Sequence, residues 1–325
     1  MADEDALVPL DDDRLPALSP ATVASVTRYA LASRADSTRE KYKRDWAAFS
    51  LWCRAQGRPN LPAAPETVAA YVSEAADRGL SPSTVNRIVA AIGYTHRLAG
   101  LQPPQKTDGG QLILSVLAGI RRSHGKPPVR KAAADSDVVR DVLRSIKGDT
   151  LKDFRDRAII AFGMACALRR SELVALTVAD LTRTPRGMDV RISRSKTDQE
   201  GKGVTIAVPD GRRLRPVAHL LAWLEWAGIT EGPLFRNTVN GSVSRRALSD
   251  QSVGLIVKRR VAAAGYAPGD FSAHSLRSGF LTSAAAAGSS IWKMRDVSRH
   301  KSVQVLSDYV RASDRYTDHA GEDFL

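Results

Sequence analysis

At about 150 residues per domain, a chain of 325 residues suggests two domains. Hydrophobic residues make up 43% of the sequence, enough for each half to bury a core, so wholesale disorder is excluded. Lys and Arg number 48 against 35 Asp and Glu, and the resulting +13 favours a polyanionic partner, nucleic acid or an acidic membrane surface. A spanning helix needs roughly 20 apolar residues. The longest apolar run, Ala158 to Leu168, has 11, which disfavours the membrane.

The first 20 residues carry six acids and one base among Pro9, Pro16 and Pro20, and read as a disordered acidic tail without the basic start of a secretory signal. Residues 21–126 hold 15 bases and 7 acids; residues 127–325 hold 32 bases and 22 acids. Both halves are thus expected to face the same polyanion. Only two cysteines occur, Cys53 and Cys166, each in an apolar helical context. They read as small core residues in a reducing cytoplasm and leave no disulfide framework or four-thiolate zinc site.

From Ser37 the pattern turns helical, with Tyr42, Trp46, Phe49 and Cys53 at helical spacing and Gly57 and Pro59 as the stop. A second helix is expected from Pro65 to about Arg78. A third opens at Ser81 and Pro82 with Val85, Ile88, Val89 and Ile92 as its apolar stripe, and a fourth spans Gln111 to Arg121. Residues 21–122 thus read as an all-helical domain. Residues 123–134 read as a basic linker, broken by Gly125, Pro127 and Pro128 and carrying Lys126, Arg130 and Lys131. The remainder, 135–325, reads as a mixed domain. Helices are expected over 135–147, 151–168, from about Arg170, and over 214–227, 249–264, 275–287 and 302–310. Asp189–Ser193 and Val204–Pro209 alternate with period two around a tip at Gly201 to Gly203, which predicts a β-hairpin.

Four short strings carry possible chemistry. Arg169 and Glu172 stand three apart, one helical face, and fit a surface salt bridge as well as a site. His274 and Arg277 fall on the first turn of a helix, where backbone amides help hold an anion, or merely cap a surface helix. His300 is followed nine residues later by Tyr309, which by itself reads as a packing residue. Lys196 leaves the first hairpin strand and fits a solvated lysine as well as a phosphate contact.

Taken together and in this order, these residues resemble the tyrosine site-specific recombinases, or phage-type integrases, with a layout most like the Cre type. The likeness covers nearly everything after residue 20. It implies a mainly α fold with a small β-sheet: a helical core-binding domain followed by an α+β catalytic domain. It also implies roles. Tyr309 would be the nucleophile, forming a 3′-phosphotyrosyl link; Arg169 and Arg277 would clamp the scissile phosphate; Lys196 would protonate the leaving 5′-oxygen. His274 would serve as general base or hydrogen-bond partner, His300 as a donor to a non-bridging oxygen, and Glu172 as the acid that orients this machinery. Arg170 stands where the family more often has an apolar residue, so the choice of Arg169 rests on its spacing to Glu172. No cofactor, metal or ATP is expected, and no phosphate-loop signature occurs.

The expected partner is double-stranded DNA with inverted-repeat target sites, held between the two basic domains; no membrane partner is expected. Phosphate candidates are Arg39, Lys41, Lys43 and Arg44 in the first helix, with Arg121, Arg122 and Lys131 around the linker. Ser83, Thr84 and Arg87 lie near the start of the third helix, where a major-groove helix reads bases, and Arg87 is the first choice there. The resemblance puts the helix from Ser249 in the major groove, with Gln251 facing bases and Lys258, Arg259 and Arg260 nearer the backbone. Tyr316, Ala320 and Phe324 form a narrow apolar stripe that either packs on its own domain or, as in the family, docks into a neighbour and links a homotetramer by exchange of the C-terminal helix. Two other outcomes stay open: a type IB topoisomerase or resolvase-like strand transferase, and a DNA-binding regulator that does not cleave.

Overall fold

The computed structural model describes residues 19–126, 131–193, 203–239 and 241–313. The chain divides into two compact units, residues 1–128 and 129–325. Among the described residues no helix is long and apolar enough to cross a membrane.

The first unit is helical: α1 (Pro20–Ala32), α2 (Asp36–Ala55), α3 (Pro65–Asp77), α4 (Pro82–Leu98) and α5 (Gln111–His124). Pro65 and Pro82 open their helices at a position where no amide donor is needed, and the Ser81 side chain caps α4 at the Thr84 amide. The expected stripe of α4 is buried, and it joins Phe49 and Cys53 of α2, Val72 of α3 and Ile113 of α5 in one core. His96 is buried there as a structural residue. Its Nε2 accepts from the Ala63 amide at 2.9 Å, so the proton sits on Nδ1, which donates to the Ile92 carbonyl at 2.8 Å. Helix α1 was not among the expected elements.

In the second unit the helices are α6 (Ser136–Ser145), α7 (Leu151–Ala165), α8 (Arg170–Ala175), α9 (Pro216–Trp226), α10 (Asp250–Ala263), α11 (His274–Ala286), α12 (Ile291–Ser298) and α13 (Val303–Ser313). Helix α7 starts from a Thr150–Asp153 capping box and is buried nearly all round, with Ala158, Ile159, Phe162 and Met164 in the core. A three-stranded antiparallel sheet runs β1 (Leu181–Thr184), β2 (Gly187–Ile192), β3 (Val204–Pro209), with Val190 opposite Ile206. Met188, Val190, Ile192, Ile206 and Val208 point to the core, the alternation that the sequence displays. The expected hairpin is therefore β2 and β3; residues 194–202 between them lie outside the described residues. A second sheet pairs β4 (Arg236–Val239) with β5 (Ser242–Ala247).

The expected linker needs correction at both ends. Helix α5 continues to His124, and residues 131–134 are tied to the second unit. The Ala132 amide donates to the Asp270 carbonyl at 2.7 Å, the Ala134 amide to Ser275 at 2.9 Å, and Lys131 Nζ to the Gly269 carbonyl at 2.6 Å. This strap crosses α11 at Gly279, where an added Cβ would overlap the Ala134 carbonyl. Backbone cannot yield as a flexible side chain can. Gly279→Ala is therefore expected to lower stability by about 3 kcal/mol, the upper end for overpacking, read as an earlier urea-unfolding midpoint.

Candidate active site

The apolar helix α7 ends at Cys166, and Ala167 turns the chain in the left-handed conformation (φ 47). An L-residue adopts that conformation at a cost of roughly 1–2 kcal/mol. The turn leaves Leu168 in the core and brings Arg169 out as the first residue of the α8 cap. Glu172, one turn on, reaches back. Its Oε2 accepts from the Arg169 amide at 2.9 Å, and its Oε1 accepts from Arg169 Nη1 at 2.6 Å. Arg170 points away and pairs with Asp250 of α10 at 3.0 Å. Arg169, not Arg170, is thus the inward arginine, as its spacing to Glu172 predicts.

Arg277 rises from the first turn of α11 and is fully buried. Its Nη1 donates to the Ala167 carbonyl at 2.6 Å, and its Nη2 lies 3.2 Å from His300 Nδ1. Ser298, itself buried, holds the same ring nitrogen at 2.9 Å. His274 opens α11 with its side chain at the surface. Tyr309, on α13, packs against the small core of Leu281, Met294 and Leu306, and its phenol is close enough for its charge to act on Arg277. Three helices, a cap and a loop thus bring Arg169, Glu172, His274, Arg277, His300 and Tyr309 into one electrostatic neighbourhood. Lys196 lies outside the described residues, as do Tyr316, Ala320 and Phe324.

Sequence reasoning gave no role to Arg299. It ends α12 in the left-handed conformation (φ 57), and its side chain turns inward to donate to Glu172 Oε2 at 2.8 Å and to the Val297 carbonyl at 2.7 Å. Its position directly before His300 was the available signal, but a lone arginine between polar residues reads as solvated. Ser298 escaped notice for the same reason.

Burial would raise the Glu172 carboxyl, yet the Arg169 amide, Arg299 and the Arg169 guanidinium outweigh it and hold the group below its ordinary 4.5. Burial and the fields of Arg169 and Arg299 push Arg277 down to about 9. The same two influences, desolvation and neighbouring arginines, bring His300 to about 4 and His274 below its usual 6.5. At neutral pH both imidazoles are uncharged. Three guanidinium groups then face one carboxylate, a surplus of two positive charges with several N–H donors beside a phenol. Such a cluster is built to hold an anion with more than one oxygen. Cys166, beneath it, is fully buried with its thiol pushed up by desolvation, consistent with a core residue.

Among the expected DNA contacts, Lys41, Lys43, Arg44, Arg121, Arg122, Gln251 and Lys258 are exposed. Ser83 and Thr84 share the Ser81 capping turn of α4. Arg39 pairs with Asp36 on its own helix. Arg87 is held by Asp45 through two hydrogen bonds of 2.8 and 3.0 Å, so it does not stand ready as an unengaged base reader. Arg259 is half exposed but donates to the fully buried Asp156 at 2.6 Å, and Arg260 is drawn inside by Asp156 and Asp153, both at 2.7 Å. Arg260 is therefore a structural ion-pair partner rather than a surface cation.

Residues 134–315 match the family model described as the phage integrase family. The integrase/recombinase xerD homolog of Selenomonas ruminantium is 36% identical over 291 residues, covering 89% of this chain and 85% of that protein. Recombinase cre of Escherichia phage P1 is 28% identical over 296 residues, covering 84% and 82%. Among solved structures, a lambda integrase dimer bound to a COC′ core site superposes with a TM-score of 0.57 at 18% identity, covering 93% of this chain and 83% of that one. The Tn1549 transposon integrase in complex with transposon right end DNA gives 0.57 at 17%, covering 90% and 95%. At those identities the two structures speak for the fold, while the family match and the first relative carry the assignment. The chain belongs to the phage integrase family: it is a tyrosine recombinase, a DNA strand transferase of site-specific recombination.

Proposed function

We propose that this chain cleaves and rejoins DNA through a 3′-phosphotyrosyl intermediate on Tyr309, acting on inverted-repeat sites without metal or ATP. One observation carries the reading: two guanidinium groups, on Arg169 and Arg277, sit close enough to depress the pKa of Arg277, in a cluster whose neutral imidazoles and single carboxylate leave a positive surplus beside a tyrosine. The Tyr309 hydroxyl attacks the scissile phosphorus. The P–O bond to tyrosine forms as the P–O5′ bond breaks, His274 takes the phenolic proton, and Lys196 delivers a proton to the departing 5′-oxygen. Arg169 and Arg277 hold the non-bridging oxygens as charge develops in the pentacoordinate transition state, and His300 donates to one of them. Because one phosphodiester is exchanged for another, the reverse attack by a 5′-hydroxyl of a second duplex reseals the strand with no external energy source.

In this reading both basic units lie on the duplex, and α10 and α4 present their exposed N-terminal side chains to the grooves. Four copies act on two duplexes, with residues 314–325 docking on a neighbour. The natural target is recovered by binding selection on random duplex DNA, and a nick placed near the selected cleavage point traps the intermediate. The full chain is expected to form a covalent adduct there, while Tyr309→Phe binds the same DNA and forms none. An adduct from Tyr309→Phe removes the assigned nucleophile; relaxation of plasmids that lack any selected site points to topoisomerase behaviour instead. Arg277→Ala should slow adduct formation on the order of 10²–10³-fold, as for the loss of one preorganised donor.

A second outcome concerns pH. The lowered pKa of His274 means the neutral base form persists below 6.5, and protonation disables it only as pH falls further. Adduct rates measured in single turnover should stay level from pH 8 down to 6.5, with the acid limb below that value. A limb centred above 6.5 would contradict His274 as the base.

A further inference from the structure

Arg299 spends its side chain in a way that the strand-transfer steps do not use. Among the described residues only three non-glycine residues have positive φ, and two of them, Ala167 and Arg299, line this one site. Glycine suits such a position; an arginine there must be retained by what its side chain does. That side chain is 8% exposed, and its Nε is buried without a hydrogen-bond partner. A solvated arginine would escape both conditions by turning outward. Instead its Nη2 takes the Oε2 atom of Glu172, the oxygen that also accepts the Arg169 amide. The other oxygen, Oε1, is thereby left for a single contact with Arg169 Nη1.

From this geometry we infer that Arg299 is a positioning residue for strand transfer: by holding Glu172 Oε2 it fixes the carboxylate so that Arg169 is gripped at one nitrogen and keeps its remaining donors for the scissile phosphate. Without that grip the carboxylate is free to rotate and take the Arg169 guanidinium at two nitrogens, the preferred fork-to-fork geometry, in competition with the phosphate. The charged groups acting on Arg299 are Glu172 and Arg169 of the α8 turn, with the neutral Cys166 thiol at the end of α7 beside it; Arg299 acts in turn on Arg277 and His300. None of these residues replaces it as a second cation on Glu172 Oε2. The inference rests on the strand-transfer reading and deepens it.

The test compares Arg299→Gly and Arg299→Gln with the full wild-type chain on the nicked duplex obtained by selection. Glycine accepts φ 57 without strain, so Arg299→Gly removes the guanidinium while leaving the turn; glutamine keeps a polar side chain without the charge. Both are expected to bind the duplex with wild-type affinity and to form the Tyr309 adduct roughly 10–100-fold more slowly, the range seen when an outer partner of an active-site group is lost. Loss of a cation beside Glu172 also lets its carboxyl titrate at higher pH, so the acid limb that His274 protonation begins should fall more steeply in both variants, because a second proton is then taken up. A purely structural role would shift melting temperature and leave the slope of that limb unchanged. Wild-type rates with an unchanged limb in either folded variant overturn the inference. No adduct from the wild-type chain sinks the strand-transfer reading itself, and the inference with it.

Discussion

The site depends on one buried carboxylate. Three guanidinium groups are gathered where water is scarce, and like charges at such distances repel far more strongly than at the surface. Glu172 is the group that makes the gathering tolerable. It is itself 4% exposed, and it survives burial as an anion because a backbone amide and two arginines hold it. Charge neutralisation stops there, and the remaining surplus falls to a ligand. That incomplete balance suits a phosphodiester, whose charge grows at the transition state, because the donors are already in place and need no reorganisation when it does.

Placement of those donors is a backbone matter. The nearly all-round burial of α7 anchors Cys166 in the core, so the left-handed turn at Ala167 occurs against a fixed wall, and its carbonyl becomes the acceptor for Arg277. Helix α11, which carries Arg277, is gripped from the other side by the 131–134 strap across Gly279. The second left-handed turn, at Arg299, directs His300 onto Arg277 as it sends its own side chain to Glu172. Two strained turns and one close backbone crossing thus converge on the same two arginines, which ties the stability of the second unit to the precision of its site.

Much of this was legible from residue pattern. The α2–α5 helices and α7 announce themselves by period and punctuation, and the β2–β3 hairpin by strict alternation. What escaped lacked that contrast. Strand β1 is four residues long, β4 and β5 are mostly polar and give only Val243 to the core, and α12 has eight residues with only Met294 deeply buried among its apolar positions. The inward choice of Arg169 was readable because the i to i+3 relation to Glu172 is local. Arg299 was not, since its partner stands 127 residues away and nothing nearby marks it as buried. The roles implied for Lys196 and the C-terminal stripe concern residues outside those described.

Counting charge fails in a different manner. A net +13 treats every arginine as equally available to a polyanion, but the fold assigns several to carboxylates before any DNA arrives. Asp156 is the extreme case: fully buried, it takes Arg155 and Arg260 inside the core and Arg259 at the surface, bridging α7 to α10. Arg87, gripped at two nitrogens by Asp45, is a second. A guanidinium held in this way offers a phosphate less net charge, because the carboxylate competes for it, yet it arrives with its rotamer already chosen and so loses less entropy on contact. In the proposed complex the exposed Lys41, Lys43, Arg44, Arg121, Arg122 and Lys258 would therefore supply most of the salt-dependent attraction. Arg87 and Arg259 supply orientation, so the two kinds of basic residue that a sequence shows as alike divide the work between affinity and register.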